Sequence, residues 1–302
     1  MNLDYKLLDA LAAVIREGSF DKAARQLNLT QSAVSQRVKL LEQQLGQILL
    51  VRSNPPTPTA VGQQLLRHAE QVRLMEGELL ADIRPAVASG YERITIGANA
   101  DSLATWLLAA LAPLLASEQL LIELVLEDQD YTHELLRDGT VAGCISTLQR
   151  PMQGCEVMYL GAMRYRCVAA PAFVERHFAA GVSADSLLAA PAVIYNRKDD
   201  LHRVFLETCF PLQDPDYAHH TLPSSQAFLD APLAGIGYAL VPELQLTDHL
   251  DRGTLIDLLP GRYIDVALYW HYWSRQPARL KRLGAALWQG CRPLRPESHL
   301  ND

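Results

Sequence analysis

The sequence predicts an α/β chain in three parts, and three observations carry that reading. Residues 1–58 hold three closely spaced helical patterns and one short strand-like run. Residues 59–90 hold one long helical pattern that ends in a Pro- and Gly-containing stretch. Residues 91–302 alternate short apolar, strand-like runs with helical ones. A length of 302 residues suits two to three domains, and 49% hydrophobic with 20% charged residues is ordinary folded composition. No run of about 18 apolar residues is read, so no membrane span is expected. Met1 to Lys6 has no basic stretch leading into an apolar core, so no secretory signal is expected either. Cys144, Cys155, Cys167, Cys209 and Cys291 are odd in number and form no C-x-x-C pair. That fits a reducing cytoplasm rather than a zinc site or a disulfide framework. The net charge of -7 is uneven: residues 1–84 carry 10 Lys/Arg against 9 Asp/Glu, and the remainder carries the whole acidic excess. A polyanionic partner would therefore meet the N-terminal part, through a few placed cations rather than a broad basic field.

Within the first part, Leu7, Leu8, Leu11, Val14 and Ile15 share one helix face, which stops at Gly18. Ser19 caps a second helix over Phe20–Leu27, where Ala23 and Ala24 permit close helix approach. Thr30 caps a third, running to about Leu45, with Val34, Val38, Leu41 and Leu45 inward. Its other face shows Gln31, Ser32, Ser35, Gln36 and Lys39, with Arg37 beside it. A solvated polar face is the plain explanation. The alternative is a helix that reads DNA: Gln pairs with adenine edges, Arg and Lys with guanine or phosphate, and Ser with either. The next residues favour the second account. Gln47–Arg52 reads as a strand and Ser53–Pro58 as a constrained turn, which together make a hairpin wing able to carry Arg52 toward a phosphate.

Ala23-Ala24, Leu27, Thr30-Gln31-Ser32-Ala33-Val34-Ser35-Gln36-Arg37, Leu40-Leu41-Glu42 and Gly46 closely resemble the DNA-binding signature of LysR-type transcriptional regulators. Leu49–Arg52, Thr57, Thr59 and Gly62 continue the match, which spans residues 3–65 without a gap. The resemblance implies a winged helix-turn-helix over 1–58 that binds a double-stranded DNA operator through Thr30, Gln31, Ser32, Ser35, Gln36, Arg37, Lys39 and Arg52. Over 59–90 it implies a linker helix that pairs two chains as a homodimer, often within a homotetramer, followed by a hinge at Pro85–Gly90. The residues agree: Val61, Leu65, His68, Val72, Met75 and Leu79 are spaced as a coiled-coil seam with one polar place. RNA polymerase is a further partner under this resemblance.

In the third part, Arg93–Gly97, Leu121–Leu126, Gly143–Ser146, Arg166–Ala169 and Ala192–Tyr195 read as buried strands of parallel sheets. Ligands in such folds sit at carboxyl ends of strands, near helix N-termini. The resemblance implies two lobes like those of periplasmic binding proteins, lobe one at 91–163 plus 268–302 and lobe two at 164–267, with a small-molecule effector between them. Asn99–Trp106 follows the first strand, and Pro223–Phe228 precedes another helix. Glu127 and Asp128 end the second strand, and Asp199 and Asp200 follow Tyr195–Lys198. The candidate effector contacts are Asp101, Ser102, Trp106, Asp128, Ser146, Tyr195, Asp199, Ser224 and Ser225. For the serines and acids, a helix cap or a solvated surface is the plain alternative.

Asn99–Leu108 with Leu111-Ala112-Pro113, Ser224-Ser225 with Ala227-Phe228, and Leu268–His271 look like the ArgP/LysG subgroup. So does Gly139–Ile145, where many members of the wider family carry an acid. That implies lysine or arginine as effector and control of amino-acid export or metabolism genes. Arg197-Lys198, beside a cleft acid, argues against a cation. The alternative is a LysR-type regulator that responds to another metabolite, or to oxidation of a cysteine, of which Cys155 reads as the most exposed. No enzyme is expected: G-x-S-x-G, H-E-x-x-H and the phosphate-loop pattern are missing, and Gly235-Ile236-Gly237 is a lone G-x-G best read as a turn. His219-His220 lacks metal-ligand company and reads as a surface turn, so neither metal nor cofactor is expected.

Overall fold

A computed structural model of the chain describes residues 3–83, 91–127, 131–196 and 199–294. The head contains α1 (Tyr5–Glu17), α2 (Phe20–Gln26) and α3 (Gln31–Leu45). Asp4, Ser19 and Thr30 each accept an N–H of the helix that follows. Leu8, Leu11, Val14, Ala23, Ala24, Val34, Val38 and Leu41 form one buried cluster, so the expected inward faces are those that pack. The expected strand over Gln47–Arg52 shrinks to β1 (Leu50–Val51), paired antiparallel with β2 (Thr57–Pro58). Its other N–H groups have nearer acceptors: that of Gln47 bonds the Glu42 carbonyl, and that of Leu49 the Glu42 carboxylate. Pro55, Pro56 and Pro58 supply no donors to lengthen the ladder.

Helix α4 (Ala60–Ile83) follows. The expected seam divides along it. Val61 and Leu65 pack on the head, beside buried Leu66 and Ala69. His68 Nε2 lies 3.3 Å from the Tyr5 hydroxyl. Farther along, Met75 and Leu79 remain 46% and 57% exposed. The expected hinge, Pro85–Gly90, lies outside the described residues.

The remaining elements are β3 (Glu92–Ala98), α5 (Ala100–Ser102), a π turn (Leu103–Leu107), α6 (Leu108–Ser117), β4 (Leu120–Leu126), α7 (Thr132–Arg137) and β5 (Gly143–Ser146). After the long β6 (Cys155–Ala169) come α8 (Pro171–His177), α9 (Ala184–Ala189), β7 (Ala192–Ile194), α10 (Leu201–Cys209), β8 (His219–Thr221), α11 (Ser225–Leu233) and β9 (Tyr238–Pro242). A 3-10 turn (Glu243–Gln245), α12 (Thr247–Asp251), β10 (Ile256–Asp257), β11 (Ile264–Trp273) and α13 (Ala278–Gly290) complete the chain. Nine strands form one sheet in the order β4-β3-β5-β11-β6-β9-β7-β8, with β10 beside β6. β3 is parallel to β4 and β5, and β7 to β8 and β9, as expected of α/β lobes. The sheet as a whole is mixed, because β6 and β11 run antiparallel to each other and to the strands they join. Both long strands pass from one lobe to the other. The sequence reading caught only the Arg166–Ala169 end of β6, because Gly161 and a register shift between Leu268 and Tyr269 interrupt its pattern.

One further expectation is corrected. His219-His220 is not a turn but part of the exposed edge strand β8. Ala100–Ser117 is long and apolar enough, by length and composition, to cross a membrane. In this fold the segment lies over the sheet, with Trp106, Leu107, Ala110 and Leu111 in the same core as Leu283 and Leu287 of α13.

His202 on α10 is buried between the rings of Tyr217 and Tyr238, with centroids at 6.0 and 5.6 Å, and neither ring nitrogen has a hydrogen-bond partner in the protein. Burial, with a smaller push from His219, lowers its pKa to about 3. The folded state therefore holds it neutral, while the unfolded chain protonates it below about pH 6.5. Its contribution is intact above that pH and is lost as pH falls from about 6.5 toward 3. Taking unfolding free energies at pH 7 and 5, His202→Phe should lose about 2 kcal/mol less than the unsubstituted chain. Equal losses would show that His202 does not titrate in this way.

Candidate functional site

The outer face of α3 is the first candidate surface. Thr30, Gln31, Ser32, Gln36 and Lys39 are exposed there, and Ser35 and Arg37 are half-buried. Thr30 divides its hydroxyl between the Ala33 N–H (3.2 Å) and Ser32 (3.0 Å), so it shapes the helix start. Arg52 stands exposed just beyond β1 in the wing. Among the described residues, Arg37, Lys39 and Arg52 enter no ion pair. Other residues of the same motif serve the scaffold. The Glu42 carboxylate accepts the N–H groups of Leu49 (2.9 Å) and Leu50 (3.4 Å) and so ties α3 to the wing. The Thr59 hydroxyl donates to the Ile48 carbonyl (2.7 Å) and accepts from Gly62 N–H (3.1 Å). Gly62 lies so close to the Leu49 carbonyl oxygen that any Cβ would collide with it.

The second candidate is the cleft between the lobes. It is lined by Asn99, Asp101, Glu127, Tyr165, Tyr195, Asp199 and Phe228, with Ala100, Leu201 and Leu240. The turn after β3 delivers Asn99, α5 delivers Asp101, the end of β4 delivers Glu127, and β6 delivers Tyr165. The residues on either side of Arg197-Lys198 deliver Tyr195 and Asp199. Asp101 is the junction. One carboxylate oxygen accepts from the Tyr165 hydroxyl (2.6 Å), and the other from the Ser225 hydroxyl (2.5 Å) at the start of α11. The second bond crosses from one lobe to the other. Burial raises the Asp101 pKa above the usual carboxylate range, and the bonds from Ser225 and Tyr165 oppose that shift. Asp199 accepts the N–H groups of Tyr195 (2.9 Å) and Leu201 (3.0 Å), so it fixes the turn into α10 while lining the cleft. Tyr195 stacks on Phe228 at 6.3 Å.

Of the expected effector contacts, Asp101, Tyr195 and Asp199 line the cleft, and Ser225 touches it through Asp101. The other described ones sit elsewhere. Ser102 is buried and its hydroxyl accepts from the Trp106 indole N–H (3.2 Å), which puts both in the core of lobe one. Ser146 is buried and accepts the Leu148 N–H. Ser224 is exposed and caps α11 through the Ala227 N–H. Asp128 lies outside the described residues, as do Arg197 and Lys198. Ser102 directly precedes the π turn, and its hydroxyl meets the indole of Trp106 four residues on. Sequence reasoning missed Tyr165, whose one signal is a tyrosine in an apolar strand pattern, where a hydroxyl needs a partner.

The alternative of a cysteine switch is not favoured. Cys155 is buried, contrary to its expected exposure, because it opens β6 beneath Trp273 and Leu136. Burial raises its thiol pKa to about 11, against the opposing pull of Arg67. Cys144 and Cys167 are raised further by burial. A thiol held protonated is a poor redox nucleophile.

Comparison with known proteins finds matches to both parts of the chain. The profile of the bacterial regulatory helix-turn-helix protein, lysR family, matches residues 5–63, and that of the LysR substrate binding domain matches residues 88–292. The HTH-type transcriptional regulator ArgP of Pseudomonas fluorescens (strain Pf0-1) is 47% identical over 271 residues, 89% of this chain and 91% of that protein. The crystal structure of ArgP from Mycobacterium tuberculosis superposes with a TM-score of 0.87 at 38% identity, covering 98% of this chain and 99% of that one. Full-length LysG from Corynebacterium glutamicum, with bound effector Arg, superposes at 0.78 and 32% identity over 97% and 100% of the two chains.

Glu42→Ala leaves two N–H groups at the wing junction without their acceptor. It should cost about 1–3 kcal/mol in the unfolding free energy of the head, read from a urea titration. An unchanged value would mean that water replaces the carboxylate at no cost.

Proposed function

The chain belongs to the LysR family of bacterial transcription regulators, and from that premise we propose that arginine or lysine, held between its lobes, sets its grip on an operator. It is an effector-responsive DNA-binding regulator and not an enzyme. The observation that carries the effector reading is the charge of the cleft: Asp101, Glu127 and Asp199 line it, and among the described residues no Lys or Arg does. Three carboxylates around one small space favour a cation, and a guanidinium or ammonium meets them with charge-assisted hydrogen bonds. The relative that carries Arg as its effector has the same full-length fold, which supports this choice.

The amino group and the side-chain cation of such a ligand would divide the three carboxylates, and the Asn99 amide can donate to the ligand carboxylate. Asp101 already joins the lobes through Ser225, so a cation at Asp101 acts on the bond that sets lobe closure. The ligand shifts DNA binding only as far as it prefers one lobe arrangement over another. On the DNA side, two copies joined along α4, whose Met75 and Leu79 stand exposed, would set two α3 helices in successive major grooves about 34–36 Å apart. Gln31, Ser32, Ser35 and Gln36 would read base edges, while Arg37, Lys39 and Arg52 would hold phosphates.

Melting the full-length protein in the presence of each of the twenty amino acids tests the effector. Arginine or lysine should raise the midpoint selectively, because a ligand bound only to the folded state stabilises it, and Asp101→Asn should remove the rise. No selective rise with either would sink the proposal. For the DNA surface, Ser35→Ala with Gln36→Ala should weaken binding to a duplex enriched from random sequence by about 5- to 150-fold, while the amino-acid response survives. Unchanged affinity at moderate salt would place recognition elsewhere.

A further inference from the structure

The linker helix meets lobe one at a fitted joint. Gln63 on α4 donates its side-chain N–H to the Asp138 carbonyl. The next residue of lobe one, Gly139, turns with φ +72° against Arg67. A Cβ there would come within 2.5 Å of Arg67 Cγ and 3.0 Å of its Cα. Beside this joint lies a cavity of about 640 Å³, walled by the head, by α4 and by the β3–β5 side of lobe one.

The cavity has unequal charges. Four arginines line it with three glutamates. Arg16 and Arg73 share Glu70, at 2.7 and 3.2 Å, and Arg93 meets Glu123 at 3.5 Å. Arg67 is half-buried and has no carboxylate partner among the described residues. Gln71 lies one helical turn beyond it on the same face of α4, and Thr140 follows Gly139 on the opposite wall. Neither side chain bonds another part of the protein among the described residues. A guanidinium fork, an amide and a hydroxyl thus gather in a space large enough for a small molecule. Arginine forks match the two oxygens of a carboxylate or a phosphate and offer nothing to a cation.

We propose that this cavity is a second ligand site, distinct from the interlobe cleft, and that it binds a small oxyanion through Arg67, Gln71 and Thr140. Its ligand chemistry is opposite in sign to that of the cleft. One wall is the linker helix and the other is lobe one, so a bound anion stabilises this particular seating of the linker on the lobe. The site therefore bears on operator binding whatever the occupant of the cleft.

The test titrates the full-length protein with inorganic phosphate and, separately, with succinate, in chloride buffer at constant ionic strength, following the melting midpoint and the heat of binding. A saturable response to at least one is expected. Phosphate alone would identify a phosphate ligand, and succinate alone a carboxylate. Arg67→Gln should abolish the response, and Thr140→Val should weaken it about tenfold, the loss of one hydrogen bond to a charged group. Any response to arginine or lysine should persist in both variants, so this site and the cleft can fail independently. No saturable response to either anion overturns the proposal, as does a full response in Arg67→Gln. Should that variant not fold, a full response in Thr140→Val overturns it.

Discussion

Two strands that belong to both lobes set the geometry on which the cleft depends. β6 and β11 pair along most of their length, and the register shift opposite Gly161 marks where the sheet passes from one lobe to the other. Lobe one hangs its parallel strands on β11, and lobe two hangs its own on β6. The pairing is reinforced from the side. Arg164 holds Asp265 through two hydrogen bonds of 2.8 and 2.7 Å, and Arg166 joins Glu243 to Asp257. A tyrosine placed between those two arginines is locked by strands on both sides. From there its hydroxyl reaches Asp101. The cleft is thus a consequence of strand register, and its central carboxylate is held by a strand that neither lobe owns alone.

The head obeys a different constraint, the short distance between α3 and the wing. A two-residue hairpin cannot hold itself in water. Glu42 supplies the missing hydrogen bonds from α3, Thr59 supplies them from the start of α4, and Gly62 lets the two backbones touch. These residues belong to the same sequence signature as Gln31, Ser32 and Gln36, yet they face inward. A signature of this kind mixes two pressures, one from the partner that the outer face meets and one from the hairpin that must stay in place. Only the burial of each side chain separates them.

Legibility in the sequence followed the range of the interactions. The three helices of the head were readable because caps and apolar spacing lie within a few residues of one another, as at Ser19 with Ala23 or Thr30 with Val34. The parallel strands of each lobe were readable as compact apolar runs. β6 was not, since its two halves face different partners and a glycine breaks the alternation between them. The same holds within the cleft. Asp101, Tyr195 and Asp199 were visible as polar residues at strand ends. Ser102 was misplaced because its hydroxyl is taken up by the Trp106 indole in the core and does not face the cleft. Tyr165 was missed because its partner is 64 residues distant.

The polarity of the two cavities follows from what each wall can supply. In the cleft, burial disfavours the charge of Asp101, while two hydroxyl donors favour it, and the balance leaves a carboxyl that a positive ligand would complete. At the joint, the long side chains of α4 line the space beside lobe one, and Glu70 and Glu123 are paired with arginines of the head, the linker and the sheet edge, while Glu17 enters no ion pair among the described residues. Arg67 has no carboxylate partner among the described residues, and the Gly139 backbone packs against its stem. A side chain held by its stem and unpaired at its tip is already ordered before anything binds, so an anion meeting it loses little of its interaction energy to side-chain ordering. The backbone turn that seats the linker on the lobe is therefore the same feature that leaves a charge facing the space between them.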